Sequence, residues 1–437
     1  MKRILLLALA LSVGLFATAQ EEVTVTFVGG SSGLGLDLDR ASAEAYMAEN
    51  PHTIGGTEYN VTVNVVPGPE SATDRLGLYR QFFQARSAEA DVLMIDVIWP
   101  GDLAANLIDL YQFEGFQEAV EAHFPAIVQN NTVDGVLVGM PWYTDAGLLY
   151  YRTDLLEEYG YDGPPETWTE LEEMATTIQE GVRQNNPDFY GFVWQGNAYE
   201  GLTCDALEWI ASNDGGDIVN PEGVITIANE NAIDILEQAA GWVGTISPPG
   251  VTGFQEEDAR RFFQAGNAAF MRNWPYAYSI GQNPETSEIA GLFDVSPLPR
   301  GSVEGGSPAA TLGGWQLAVS RYSQNPAVAA DVALYYASYE NQKVRAIEGS
   351  FNPTIEALYE DEEVLAAVPF FGELLGVFTN AVARPSTVTA PNYAEVSRAF
   401  FTAVHDVLTG QEDAETALLI AEAEIQEITG FETGTPE

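Results

Sequence analysis

Apolar and polar residues alternate over VTVTFV (23–28) with the period of two that a strand requires, and the run ends at Gly29-Gly30. The spacing of apolar positions then predicts a helix over 39–49, a second strand at YNVTVNVV (59–66) and a second helix over 71–86. VLMIDVI (92–98) is a third strand, wholly apolar except for Asp96. Strand, helix, strand, helix, strand is the order of a parallel sheet covered on both faces, so this first part is α/β. Residues 136–140 read as a strand that turns at Pro141 into a second apolar strand and a helix, as where a chain leaves one sheet for another. Pro164-Pro165-Glu166-Thr167 predicts the cap of a helix running from Trp168 to about Glu180, with Leu171, Met174, Ala175 and Ile178 on one face. Further helices are expected at 202–212, 232–244 and 257–265, and short strands at 293–296 and 314–320. The last third is mainly helical and closes on an apolar stripe of Ala414, Ala417, Leu418, Ala421, Ile425 and Ile428. Two α/β lobes joined by crossing strands satisfy this order.

Composition adds a compartment. The chain opens MKRILLLALALSVGLFATAQEE, with Lys2 and Arg3 before a short apolar run and Ala17-Thr18-Ala19 as an A-x-A site. Residues 1–19 therefore read as a signal peptide cleaved near Ala19, which places the mature protein in the periplasm or outside the cell. No cysteine lies near that site to carry a lipid anchor. Cys204 is the one cysteine of the chain, so no internal disulfide forms and stability has to come from burial. The charge is extreme: 64 acidic against 17 basic residues give −47, and only Lys2 and Lys343 are lysines. Such a surface repels phosphate backbones and anionic lipid head groups, which excludes nucleic-acid and membrane-surface partners.

Catalytic motifs are sparse. Gly29-Gly30-Ser31-Ser32-Gly33 matches a nucleophile elbow after a strand, but the chain has only His52, His123 and His405 to supply a base. His405 alone comes late enough in order, and it sits in a helical pattern, AFFTAVHDVLTG. Three scattered histidines and one cysteine build no zinc centre of ordinary spacing, and no P-loop, EF-hand loop or G-x-G-x-x-G is present. No cofactor or metal is expected. Glycoside hydrolysis stays open, because it asks only for two suitably placed carboxylates.

Aromatic and polar residues cluster instead at strand ends. FMRNWPYAYS (270–279) sets Arg272 and Asn273 beside Trp274, Tyr276 and Tyr278. Asp96 closes an apolar strand, Tyr143 and Asp145 follow Pro141, Gly313-Gly314-Trp315 opens a strand, and Arg384 precedes Pro385. A neutral, many-hydroxyl ligand such as a sugar needs this mixture. Its C–H faces stack on rings, and its hydroxyl pairs are held by carboxylates, amides and arginine. Core packing explains any one of these residues, but a carboxylate inside an apolar strand is costly unless something pairs with it.

The segments LMIDVIWPGDLAANLIDL, GMPWYTDAGLLYYRTDLLEEYGYDGPPETWTEL, YGFVWQGNAYEGLTCDALEWIASNDG, FFQAGNAAFMRNWPYAYS and AATLGGWQLAVS resemble those of extracellular solute-binding proteins of ABC sugar importers, the trehalose/maltose-binding branch above all. The resemblance covers nearly the whole mature chain in the same order. It implies a two-lobed periplasmic-binding-protein fold of type II with a hinge, lobe 1 being 20–139 and 298–341 and lobe 2 being 140–297 and 342–437. It also implies a disaccharide ligand held between the lobes, no chemistry, a monomer, and delivery to the permease subunits of an importer. Carried over residue by residue, Arg75 and Asp96 match polar contacts of the first lobe, and Tyr143 and Asp145 contacts just past the first crossing. Trp274 and Tyr276 match an aromatic platform, Gly314 and Trp315 a returning contact loop, and Arg384 a late arginine that reaches the sugar. Where relatives place a glutamate after the first strand, this chain reads GGSSGLGLDLD, and Asp37 stands as the candidate. A secreted glycosidase acting on a small glucoside and a surface adhesin for polymeric glycan are the alternatives.

Overall fold

The computed structural model describes residues 20–31 and 33–436; the expected signal peptide, 1–19, lies outside them. The strands in chain order are β1 (Glu21–Gly29), β2 (His52–Ile54), β3 (Thr57–Pro67), β4 (Val92–Asp96), β5 (Thr132–Val133), β6 (Val136–Leu137), β7 (Met140–Ala146), β8 (Leu148–Arg152), β9 (Tyr190–Val193), β10 (Val224–Ile225), β11 (Ala268–Asn273), β12 (Phe293–Ser296), β13 (Leu312–Val319), β14 (Asn352–Pro353) and β15 (Glu432–Thr433). A seven-stranded sheet has the order β14-β7-β13-β4-β1-β3-β2, and a four-stranded sheet the order β12-β8-β11-β9. β1 pairs in parallel with β3 and β4, as the strand–helix alternation requires. β13 returns from later in the chain and pairs antiparallel with both β4 and β7, so the first sheet is mixed.

Both faces of that sheet are buried, and β4 shows how. Val92 and Met94 pack with Phe27 and Leu317 on one side, and Leu93 and Ile95 with Val28 and Ala318 on the other. The second sheet and its helices form a separate, larger core. Within it Trp168, Trp194, Trp209 and Trp242 touch in sequence at centroid distances of 5.6, 5.7 and 5.0 Å, taken as 168–242, 242–209 and 209–194. Burying a large apolar side chain contributes about 1.5–3 kcal/mol, so these four rings are a substantial part of what holds the second core together.

Two expectations are corrected by the strand pairing. Pro141 does not turn the chain: it lies within β7, opposite Gln316, where the register of β13 shifts. A bulge tolerates a residue without an N–H, which is why proline fits there. The chain changes sheet six residues later, at Gly147, the one residue between β7 and β8. A Cβ at this position would sit 2.0 Å from Glu208 Oε1 and 2.8 Å from Arg272 Nη2, so no larger side chain passes between the sheets here without moving a buried ion pair. The first helix, Gly33–Ala48, starts six residues earlier than the spacing predicts and takes in the whole GLGLDLD stretch. Buried Asp39 explains this start: it accepts the Gly30 N–H at 2.7 Å and pairs with Arg345 at 2.7 Å, and these long-range bonds outweigh the poor helix propensity of the glycines. By contrast, Thr167 caps the Trp168–Val182 helix at the expected place by accepting the Glu170 N–H.

Cys204 lies inside the Glu200–Ser212 helix and is 2% exposed. Burial pushes its thiol well above the ordinary range, so little nucleophilic thiolate forms. A thiol reagent is expected to leave the native protein unlabelled and to modify one cysteine per chain after denaturation. Rapid labelling of the native protein would contradict this.

Candidate functional site

Strand register brings the predicted residues into one row. Across β4, β13 and β7, Asp96 stands opposite Trp315, and Trp315 opposite Tyr143; one step on, Gly313 stands opposite Asp145. The period of two puts Tyr143, Asp145, Gly313 and Trp315 on the same face of the sheet. Gly314, between them, has φ +120°, and a Cβ there would lie 2.6 Å from the Tyr143 carbonyl oxygen, so the backbone path requires glycine.

From the second sheet comes Trp274, at the end of β11. Pro275 stops the strand, and the Tyr150 hydroxyl of β8 donates to the Trp274 carbonyl at 2.7 Å, which fixes the turn. The indole reaches across to β13: a Cβ on Gly313 would meet Trp274 Cζ3 at 3.0 Å and Asp145 Cβ at 3.1 Å. The ring and the acid from the two sheets thus meet over a glycine. Arg272 lies over the indole, its Cζ 3.9 Å from the ring centroid. Glu256 Oε1 accepts from the indole N–H at 3.5 Å.

Beside this contact the rings form a wall. Phe351 sits 4.8 Å from Tyr143 and 6.5 Å from Tyr276, the latter nearly parallel at 17°. The Tyr276 hydroxyl donates to Glu257 at 2.8 Å. Arg345 lies under the wall, 4.5 Å from the Phe351 ring and 4.1 Å from Trp142.

The acids are unequally satisfied. Asp96 accepts from Arg384 Nη2 at 3.0 Å, and burial raises its carboxyl to about 6 against the pull of that arginine. Asp145 is buried, and its Oδ1 has no hydrogen-bond partner among the described residues. Burial, followed by the charge of Asp96, holds its carboxyl well above the ordinary range, and Arg272 offsets this only in part. Arg272 itself is occupied by Glu208, at 2.8 and 2.5 Å, and by Asp205, at 3.0 Å. Asp145 Oδ1 is thus a buried polar atom left unsatisfied beside the Trp274 indole.

This yields a prediction of direction. Asp145 binds its proton more tightly folded than unfolded, so the stability it contributes is present at acid pH and is lost as pH rises beyond the usual carboxylate range. Asp145→Asn is therefore expected to stabilise the unliganded protein by about 1–3 kcal/mol at neutral pH, with the gain shrinking towards pH 4. Denaturant melts at the two pH values check it; an equal gain at both, or a loss at neutral pH, contradicts it.

Three predicted residues stand differently. Arg75 is buried, but its Nη1 and Nη2 donate to the Gly29 and Pro69 carbonyls at 2.7 and 2.9 Å, and its guanidinium lies 5.2 Å from the Trp315 ring. It fixes the loops after β1 and β3 and backs Trp315. Arg384 is committed to Asp96, to Glu200 at 2.8 Å and to the Leu312 carbonyl at 3.2 Å. Asp37 is not brought to the others: its side chain is 70% exposed and lies 3.7 Å from Arg40 on the same helix. The acid that turns inward is Asp39, two positions and about half a turn away.

Sequence reasoning passed over Phe351, Glu200 and the Asp205/Glu208 pair. One signal was available: Glu200, Cys204 and Glu208 recur every four residues along a helix of which all but Ala211 is buried, so its acids need partners inside the protein. None of the three histidines forms a triad. His52 stacks on Tyr46, His123 contacts the Thr354 hydroxyl, and His405, within the Tyr393–Leu408 helix, contacts the Thr252 carbonyl. No group of three or more His, Cys, Asp and Glu suited to a metal ion occurs among the described residues, and no helix among them is long and apolar enough to cross a membrane.

Comparison with known proteins bears on this geometry. A probable ABC transporter-binding protein of Deinococcus radiodurans is 52% identical over 423 residues, which span 97% of this chain and 98% of that protein. A mannitol-binding protein of Pseudomonas aeruginosa is 26% identical over 323 residues, 70% of this chain and 72% of that one. Among solved structures, maltose-bound MalE3 of T. maritima superimposes with a TM-score of 0.86 at 40% identity, covering 93% of this chain and 99% of that one, so the two-lobed α/β architecture is shared. The family model for bacterial extracellular solute-binding proteins matches residues 38–343. With more than half of its length matched by that model and a relative similar from end to end, the chain belongs to the bacterial extracellular solute-binding proteins.

Proposed function

We propose that this protein captures a disaccharide or α-glucoside of the trehalose, maltose or sucrose kind between its two lobes, outside the cytoplasm, and hands it unchanged to the permease subunits of an ABC importer. The observation that carries this reading is the meeting of the Trp274 indole with buried Asp145, whose Oδ1 is unpartnered, over Gly313. A ring for the C–H face of a pyranose and an open acceptor for its hydroxyls lie side by side, each contributed by a different sheet. The maltose in the MalE3 structure and the polyol named for the P. aeruginosa relative support a ligand of this class. Sugar shifts the population towards the closed arrangement because only there do both half-sites touch it.

Titration calorimetry with maltose, trehalose, sucrose and mannitol tests this. At least one disaccharide is expected to bind with a Kd of about 1 μM or tighter, roughly −8 kcal/mol, and to be recovered intact by chromatography. Binding of none, or release of monosaccharide in the manner of a glycosidase, overturns the reading.

A further inference from the structure

The Glu200–Ser212 helix follows β9 of the four-stranded sheet, whereas the Ala72–Ala85 helix lies between β3 and β4 of the seven-stranded sheet. Their first turns meet. Glu200 is the first helical residue, so its N–H has no partner within the helix. It donates instead to Thr73 Oγ1 at 3.2 Å. The Glu200 side chain is buried and fully used: Oε1 accepts from Arg384 Nη1 at 2.8 Å and the Tyr393 hydroxyl at 2.6 Å, and Oε2 from the Ser397 hydroxyl at 2.6 Å. Arg384 continues to Asp96 at 3.0 Å. A chain of polar contacts thus leaves the Ala72–Ala85 helix at Thr73, passes through Glu200 and Arg384, and reaches the seven-stranded sheet at Asp96. A cleft lined by Thr73, Leu76, Arg80, Trp99, Glu200 and Tyr393 borders the Thr73 contact, so water reaches both partners once they separate.

We propose that Glu200 is a positioning residue for ligand capture, aiming Arg384 at Asp96 through its carboxylate, and that its N–H closes onto Thr73 as the two lobes come together. This rests on the two-lobed capture described above. Thr73 is exposed and, among the described residues, makes no other hydrogen bond through Oγ1, so its contact with Glu200 can be removed without disturbing a core.

Thr73→Val tests the closing contact, with Thr73→Ser as rescue and Glu200→Gln probing the carboxylate. Thr73→Val is expected to weaken sugar binding about threefold to tenfold, chiefly through faster release, with the unliganded Tm unchanged within about 1–2 °C. Thr73→Ser restores wild-type affinity, and Glu200→Gln weakens binding further, by roughly tenfold or more. A Kd within about twofold of wild type for Thr73→Val, against a wild type that binds, overturns the inference while leaving the sugar reading intact. Where wild type binds no sugar, hydrogen exchange decides: the Glu200 amide is expected to exchange at least about threefold faster in Thr73→Val, and equal exchange overturns the inference.

Discussion

Replacing Arg272 by methionine is expected to destabilise the protein by about 3–5 kcal/mol. Arg272 is 1% exposed and holds Glu208 by two parallel bonds, with Asp205 at 3.0 Å and Gln195 accepting from Nη1 at 3.0 Å. Removing the guanidinium leaves two buried carboxylates near each other, supported among the described residues by the backbone N–H groups of Thr311 on Glu208 and of Gln195 on Asp205. Lysine keeps the charge but not the fork, so Arg272→Lys should fall between wild type and Arg272→Met. Urea unfolding of the three proteins measures it. A loss below about 1 kcal/mol for methionine would show that the pair is dispensable.

The second large effect concerns affinity. Trp274→Ala is expected to weaken sugar binding by at least about tenfold, or 1.4 kcal/mol, because the platform for one pyranose face is lost. The ring is only half-buried, in contrast to the four tryptophans of the second core, so the unliganded Tm should change little. Calorimetry and a thermal melt separate the outcomes. Wild-type affinity would remove the indole from the site, and a collapse of the unliganded Tm would make it a packing residue.

The parts of this molecule that were legible in the sequence depend on short-range regularities. Period-two patterns located β1 and β3, a continuous apolar run located β4, the Pro-Pro-Glu-Thr cap located the Trp168–Val182 helix, and a carboxylate closing an apolar strand singled out Asp96. What escaped was set by distant partners. Asp39 rather than Asp37 turns inward because Arg345, 306 positions away, meets it, and nothing local distinguishes the two acids. Phe351 enters the aromatic wall through a two-residue strand edge too short to show a period. Pro141 suggested a turn on local grounds, and only the irregular register of β13 makes room for it inside a strand. Arg75 and Arg384 were recognisable as special, but the carbonyls and acids that occupy them come from other segments.

Gly147 carries a mechanical consequence. One residue spans at most about 3.6 Å, so the two sheets it joins stay tethered there, and under the proposed capture their relative motion pivots near that point. Displacement then grows with the length of the lever arm, and Asp145, two residues from the pivot, travels little. On the proposed capture, its side chain is a near-stationary post for the held molecule, while groups farther out along the moving body sweep in over it.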